Sequence, residues 1–114
     1  MQLNEFLASL NKTEENIDFA TTMATIDDNY LFSPTSFNNG DCVNESNTNN
    51  GSCKIFAFGL LNKLTEQQTL ACFGDYYRQD VLGNPKGDDH QNIRNFMSTG
   101  WAGIKFNGEA LTRT

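Results

Sequence analysis

Residues 51–64, GSCKIFAFGLLNKL, place the apolar side chains Cys53, Ile55, Phe56, Ala57, Phe58, Leu60 and Leu61 nearly all round a helical wheel. A segment with no polar face has nothing to offer water, so the run predicts a buried central helix, with a buried strand as the alternative. Directly downstream, Thr65-Glu-Gln-Gln68 reads as a capping box. The Thr65 hydroxyl serves the Gln68 amide and the Gln68 side chain reaches back, a cap worth about 1 kcal/mol. In the helix it opens, Leu70, Phe73, Tyr77 and Val81 form the buried stripe. Gly74 sits inside that helix at a cost of about 1 kcal/mol relative to Ala, which points to close approach by a neighbouring element.

Upstream, Leu3, Phe6, Leu7 and Leu10 repeat at i, i+3, i+4, i+7, the pattern of an amphipathic helix over the first ten or so residues. Thr13 is placed to cap a second helix with Phe19, Met23, Ile26 and Tyr30 on one face. The β-branched Thr21, Thr22 and Thr25 lower its intrinsic propensity, so packing must hold it. Pro34 forbids a helix interior over Tyr30–Phe37, and the helix is expected to stop near Asn29. Asn39-Gly40 signals a hairpin with a type I′ turn, pairing residues 36–38 with residues 41–43. Residues 44–51, NESNTNNG, read as an exposed loop; it is oxygen-rich but lacks the spacing and terminal glutamate of a calcium loop.

Past GNPKG at 83–87, Asp88 or Asp89 is expected to cap a final helix. Ile93, Phe96 and Met97 face inward there, and Gly100 supplies the stop. Trp101, Ile104 and Phe106 lead as a last short strand to the Asn107-Gly108 turn. The fold class expected is α+β, a mostly helical single domain over residues 1–114 with about five helices and a small sheet including the Asn-Gly hairpin.

At 114 residues the chain can bury about 65% of its unfolded surface in one core. The formal charge of −6, with scattered Lys and Arg, argues against nucleic-acid and anionic-membrane partners. No apolar run approaches bilayer-spanning length and MQLNEFLASL lacks a basic signal-peptide start, so the expectation is a soluble, cytoplasmic protein. Cys42, Cys53 and Cys72 include no CxxC pair and are expected as free thiols. No metal-ligand array or cofactor motif is found, so no cofactor is assigned.

The stretch 83–106 gathers the only histidine, the only tryptophan and adjacent aspartates. The sharpest candidate joins Cys53 to His90, with Asp89 or Asp88 orienting the imidazole, as in cysteine-type acyl transfer. A helix start and an imidazole both favour a thiolate. The competing reading is structural: Cys53 opens an apolar helix, and His90 shares a spacing with Ile93 and Met97 that edges a core. Gly51, Ser52 and Lys54 offer an anion seat at a helix start, a site for a small anionic ligand. Arg94 and Arg78 are candidates for a carboxylate groove, and Tyr76, Tyr77 and Trp101 for a stacking platform, all within a small ligand-binding site around His90. Asp88-Asp89-His90 is rejected as a metal cluster, since three consecutive residues diverge and there is no second histidine.

Three strings, NGSCKIFAFGLL (50–61), EQQTLACFGDYYRQDVL (66–82) and GDDHQNIRNFMSTGWAGIKF (87–106), together resemble the HopJ family of bacterial type III effectors. A first helix of LxxFL type, Leu3 to Leu7, and the Asn-Gly hairpin extend the resemblance nearly from end to end. It implies an uncharacterised effector-type protein that acts through an unknown protein partner, with secretion into a host by a type III system. The family supplies no catalytic or binding residues to transfer.

Overall fold

The computed structural model describes residues 2–114. The apolar run forms helix α3 (Asn50–Leu61), in which Cys53, Ile55, Phe56 and Phe58 are buried. Because α3 is apolar on opposite sides, it carries two ring clusters. Phe56 packs on Phe37, Phe73, Phe96 and Trp101 at centroid separations of 5.0–6.5 Å. Phe58 meets Phe6 and Tyr30 edge-on. Only the C-terminal Leu60 and Leu61 emerge into solvent.

Helix α1 (Leu3–Thr13) buries Phe6 and Leu10, with Leu3 and Leu7 packed at the margin. Thr13 does not cap the next helix: its hydroxyl donates back to the Ser9 carbonyl, and a single 3-10 turn, Glu14–Asn16, follows. Asp18 caps α2 (Phe19–Asn29) instead, its carboxylate accepting from the Thr21 amide at 2.7 Å. The helix ends at Asn29, as Pro34 requires. Thr22 and Thr25 are buried on α2 because each hydroxyl donates to a carbonyl one turn back, to Asp18 and Thr21. Such bonding satisfies the group inside a core.

The capping box opens α4 (Glu66–Ala71), both of its bonds measuring 3.0 Å. Leu70, Phe73, Tyr77 and Val81 are all buried, but not on one continuous helix. Gly74 breaks it at φ +62°, and a Cβ there would lie 2.6 Å from the Phe19 backbone nitrogen. Close approach of the α2 start is therefore the reason for glycine, together with the left-handed backbone. The chain then rewinds as a π-helical segment, Tyr76–Val81.

Helix α5 (Gln91–Thr99) turns Ile93 and Phe96 inward and stops at Gly100, φ +59°. Met97 departs from expectation: it lies in a shallow surface hollow beside Leu82, Pro85 and Arg94 and is exposed. Asp88 and Asp89 also fail to cap α5, for a reason that belongs to the site below.

Strand β1 (Tyr30–Phe32) pairs antiparallel with β5 (Leu111–Arg113), and β2 (Phe37–Asn39) lies between β3 (Cys42–Asn44) and β4 (Ile104–Phe106), again antiparallel. The Asn-Gly hairpin exists one residue out of the expected register. Phe37 pairs with Asn44 and Asn39 with Cys42, so the turn residues are Gly40 and Asp41. Gly40 alone of the two has positive φ, the requirement of type II′ rather than I′. Burial sets this register: Phe37 and Asn39 are both fully buried and Asn38 is out, and a one-residue slip would invert every side chain. The fold is α+β, mostly helical with small antiparallel sheets. Among the described residues no helix is long and apolar enough to cross a membrane.

Candidate functional site

A cleft of about 590 Å³ opens where the starts of α3 and α5, strand β3 and the π segment meet. Its walls follow from two unusual helix entries. α3 begins after Asn49 at φ 51° and α5 after His90 at φ 50°, both left-handed and neither capping its own helix with a side chain. An N-cap in the usual extended conformation folds its side chain onto the first-turn amides; a left-handed one directs it elsewhere. First-turn residues of both helices, Ser52 and Gly51 on one side and Gln91 and Asn92 on the other, therefore border the cleft.

The released side chains build the site. His90 Nε2 lies 3.0 Å from Asp80 Oδ2 and 3.8 Å from Asp89 Oδ2. Donation of Nε2–H to Asp80 leaves Nδ1 as an acceptor in the neutral ring. The imidazole sits 5.3 Å from the Tyr76 ring, which rests edge-on against Phe19 at 5.0 Å. The π segment thus supplies both the aromatic neighbour and the carboxylate partner of His90. Asp89 is drawn the other way: Arg94 donates to its carboxylate at 2.5 Å and its carbonyl at 2.6 Å. That bond to Arg94, with the guanidinium charge, holds the Asp89 carboxyl below the usual range and explains why it does not cap α5. Asp88 contributes its backbone carbonyl to the Gln91 side chain.

Behind this wall lies a carboxamide network. Asn44 and Asn92 bond reciprocally, Asn44 Nδ2 to Asn92 Oδ1 at 3.1 Å and Asn92 Nδ2 to Asn44 Oδ1 at 2.9 Å. Asn49 donates to Asn44 Oδ1 at 2.7 Å, and Asn39 Nδ2 donates to the Asn92 carbonyl and Oδ1. Asn39 is fully buried and its own Oδ1 has no partner among the described residues. The network ties the hairpin to α5 and to the α3 entry, fixing the cleft floor.

With this geometry the chain can be set beside known proteins. The family model described as HopJ type III effector protein matches residues 3–111. The chain belongs to the HopJ family. A crystal structure described as unknown function protein VPA0580 shares the HopJ-family fold seen here at a TM-score of 0.99 and 60% identity, covering 100% of this chain and 95% of that one. No curated protein matches the chain at a significant level.

Of the residues singled out from the sequence, the cleft gathers Ser52 and His90, with Asp89 behind the imidazole. Cys53 is not paired with His90. It is 1% exposed, its thiol donates to the Thr35 carbonyl at 3.5 Å, and burial pushes its pKa up. The helix start is not available to it either, because Asn49 precedes α3 and the Cys53 amide already bonds to the Asn49 carbonyl. Lys54 leaves the anion seat for Asp27 at 2.9 Å and lies over the Phe32 ring. Tyr77 is buried in the core, and Trp101 packs edge-on against Phe96 while its Nε1 donates to the Leu64 carbonyl. Arg94 grips Asp89 and the Asn84 carbonyl. Arg78 donates to the Glu14 and Ile17 carbonyls, fastening the π segment to the 3-10 turn.

Sequence reasoning passed over Cys42, Asp80, Asn44 and Asn92. Cys42 is the half-exposed thiol of the three free cysteines and lines the cleft. The available signal was the density of asparagine around the hairpin, a residue type that tolerates left-handed backbone and bonds locally. From sequence alone the same density reads as loop composition.

Proposed function

We propose that this HopJ-family domain is a binding protein whose recognition site is the His90 cleft, and that it takes a small polar ligand there without nucleophilic chemistry at Cys53. One observation carries the reading. The unique histidine stands in a left-handed conformation, bonded to a carboxylate from a π segment, on the wall of a cleft of about 590 Å³. Strained non-glycine backbone and π turns both persist where a surrounding site requires them.

The residues act by preorganisation. Asp80 fixes the imidazole tautomer, Tyr76 and Phe19 supply apolar wall, and the asparagine network holds its donors without rotamer search on binding. A screen of uncharged and charged metabolites by amide chemical-shift mapping tests the proposal. Hits should move the resonances of Tyr76, His90 and Asn92 together, and Tyr76→Ala should weaken them at least tenfold. Hits that map to the exposed Leu60–Leu61 end of α3 would remove the cleft from consideration.

A second reading, interaction with a protein partner after type III secretion, is favoured by the family assignment. Its test is separate: a tagged protein should leave the cell only when a type III apparatus is present.

A further inference from the structure

We infer that the cleft selects an uncharged, flat, acceptor-bearing ligand of nucleobase or carboxamide type, read by the free donors of Asn44 and Asn92. The inference rests on the cleft being a ligand site and adds the chemistry of what enters it.

Charge comes first. Among the described residues no Asp, Glu, Lys or Arg side chain lines the cleft. The nearby cations are engaged elsewhere: Lys54 with Asp27, Arg78 with backbone carbonyls, Arg94 with Asp89 and the 84–85 backbone. Two helix starts contribute about half a positive charge each. Against them stand the carboxylates of Asp80 and Asp89 behind His90, of which Arg94 balances one. The sum is close to zero, in a chain of net charge −6. An anion gains no net field there, and a cation finds no carboxylate on the lining.

Hydrogen-bond capacity narrows the class further. A carboxamide has two N–H donors and an oxygen that accepts twice. Asn44 Oδ1 is filled by Asn49 and Asn92, and Asn92 Oδ1 by Asn39 and Asn44. Each Nδ2 makes one bond, so one N–H remains on each residue. Among the described residues Asn49 Oδ1 accepts from no side chain or amide, and His90 Nδ1 has no partner while Nε2 faces Asp80. The lining therefore offers two fixed donors and two acceptors, beside the Phe19 and Tyr76 rings. A planar amide edge meets donors and acceptors of this kind, and asparagine reads nucleobases in the same way.

The test compares adenosine, uridine, nicotinamide, glucose and inorganic phosphate, each titrated into the full chain while the side-chain carboxamide resonances of Asn44 and Asn92 are followed. Saturable shifts with a nucleoside or nicotinamide, weakened at least tenfold by Tyr76→Ala, are expected; the nucleosides against nicotinamide tell base from simple carboxamide. Because Asn92 variants can fail to fold, Asn49→Gly, which keeps the left-handed entry, serves as the second variant and should weaken the same ligand while keeping a dispersed amide spectrum. Saturation by phosphate alone, or by glucose alone, would overturn the inference and leave the cleft as a site for another chemistry. If no probe moves any cleft resonance, the inference and the binding reading fall together.

Discussion

Helices α2 and α4 begin with a side chain folded back on their own amides, whereas α3 and α5 begin with one turned away. Asp18 and Thr65 close the first pair. Asn49 and His90, both left-handed, leave the second pair open and send their side chains to Asn44 and Asp80. The first turns of the open pair both border the cleft, whereas the closed pair gives it only the Phe19 ring at the start of α2. Helix-end satisfaction is thus local on one side of the molecule and deferred on the other, where it is left for water or a ligand.

The contrast extends to the thiols, where the largest effect is expected. Cys53 is 1% exposed and Cys72 0%, with burial pushing the Cys72 thiol up to about 12, whereas Cys42 lies half-exposed on the cleft. At pH 8 a thiol of that kind is ionised in about one molecule in ten thousand. Native-state alkylation followed by mass analysis should label Cys42 alone, and denatured protein should take three labels. Labelling of Cys53 at the Cys42 rate would show that the core side opens as readily as the cleft.

Next in size is the cost of disturbing each side. Phe56→Ala removes the ring on which four others pack and should lower unfolding free energy by about 3–5 kcal/mol. Asn92→Ala leaves the Asn44 donor without its acceptor, while Asn39 keeps the backbone carbonyl at 92, and should cost about 2 kcal/mol, since water from the cleft can replace part of what is lost. Denaturant midpoints at constant slope measure both. An Asn92→Ala loss equal to that of Phe56→Ala would make the network a sealed part of the core instead of a cleft floor.

A smaller difference separates the helix starts themselves. Thr65→Ala should cost about 1 kcal/mol through the lost capping box, while Ser52→Ala, in the uncapped first turn of α3, should change stability by less than about 0.5 kcal/mol. Equal losses in thermal unfolding would erase the distinction between closed and open starts.

The same contrast explains what was legible in the sequence. The Thr65–Gln68 box and the all-round apolar α3 are properties of contiguous residues found where the pattern places them, and Leu70, Phe73, Tyr77 and Val81 are buried as expected although Gly74 breaks their helix. The cleft is made by residues that pattern cannot bring together. Asn39 and Asn92 are 53 positions apart, and Asn44 and Asn92 are 48 apart. The two left-handed entries are not legible, because Ser52 and Asp89 look like caps and the bonds that divert the chain, Asn49 to Asn44 and Arg94 to Asp89, each span five residues and follow no helix or strand period. The pairing of Cys53 with His90 is absent for a related reason: the sequence places Cys53 at a helix start, whereas the helix begins at Asn50 and buries the thiol. His90 lines the cleft, and its uniqueness, unlike a pairing, is read without knowledge of the fold.

The smallest effect concerns acid. Backbone and side-chain hydrogen bonding to Thr21 holds the Asp18 carboxyl below its ordinary value, and the Arg94 bond does the same for Asp89. A carboxyl lowered by folding adds stability that is present above its unfolded value and is lost as pH falls through the folded one. Asp18→Asn keeps an oxygen at the α2 cap but removes the charge, so the parent should exceed it slightly in melting temperature at neutral pH, with the gap closing below the ordinary carboxylate range. Asp89→Asn should close its gap over the same acid range. It should also be the more salt-sensitive of the two, because its advantage at neutral pH comes from an exposed ion pair and not from a cap. Melting curves at two ionic strengths across the acid limb decide the matter: equal salt sensitivity would mean that Asp89 serves the start of α5 as Asp18 serves α2, and the division into closed and open helix starts would fail at its cleft side.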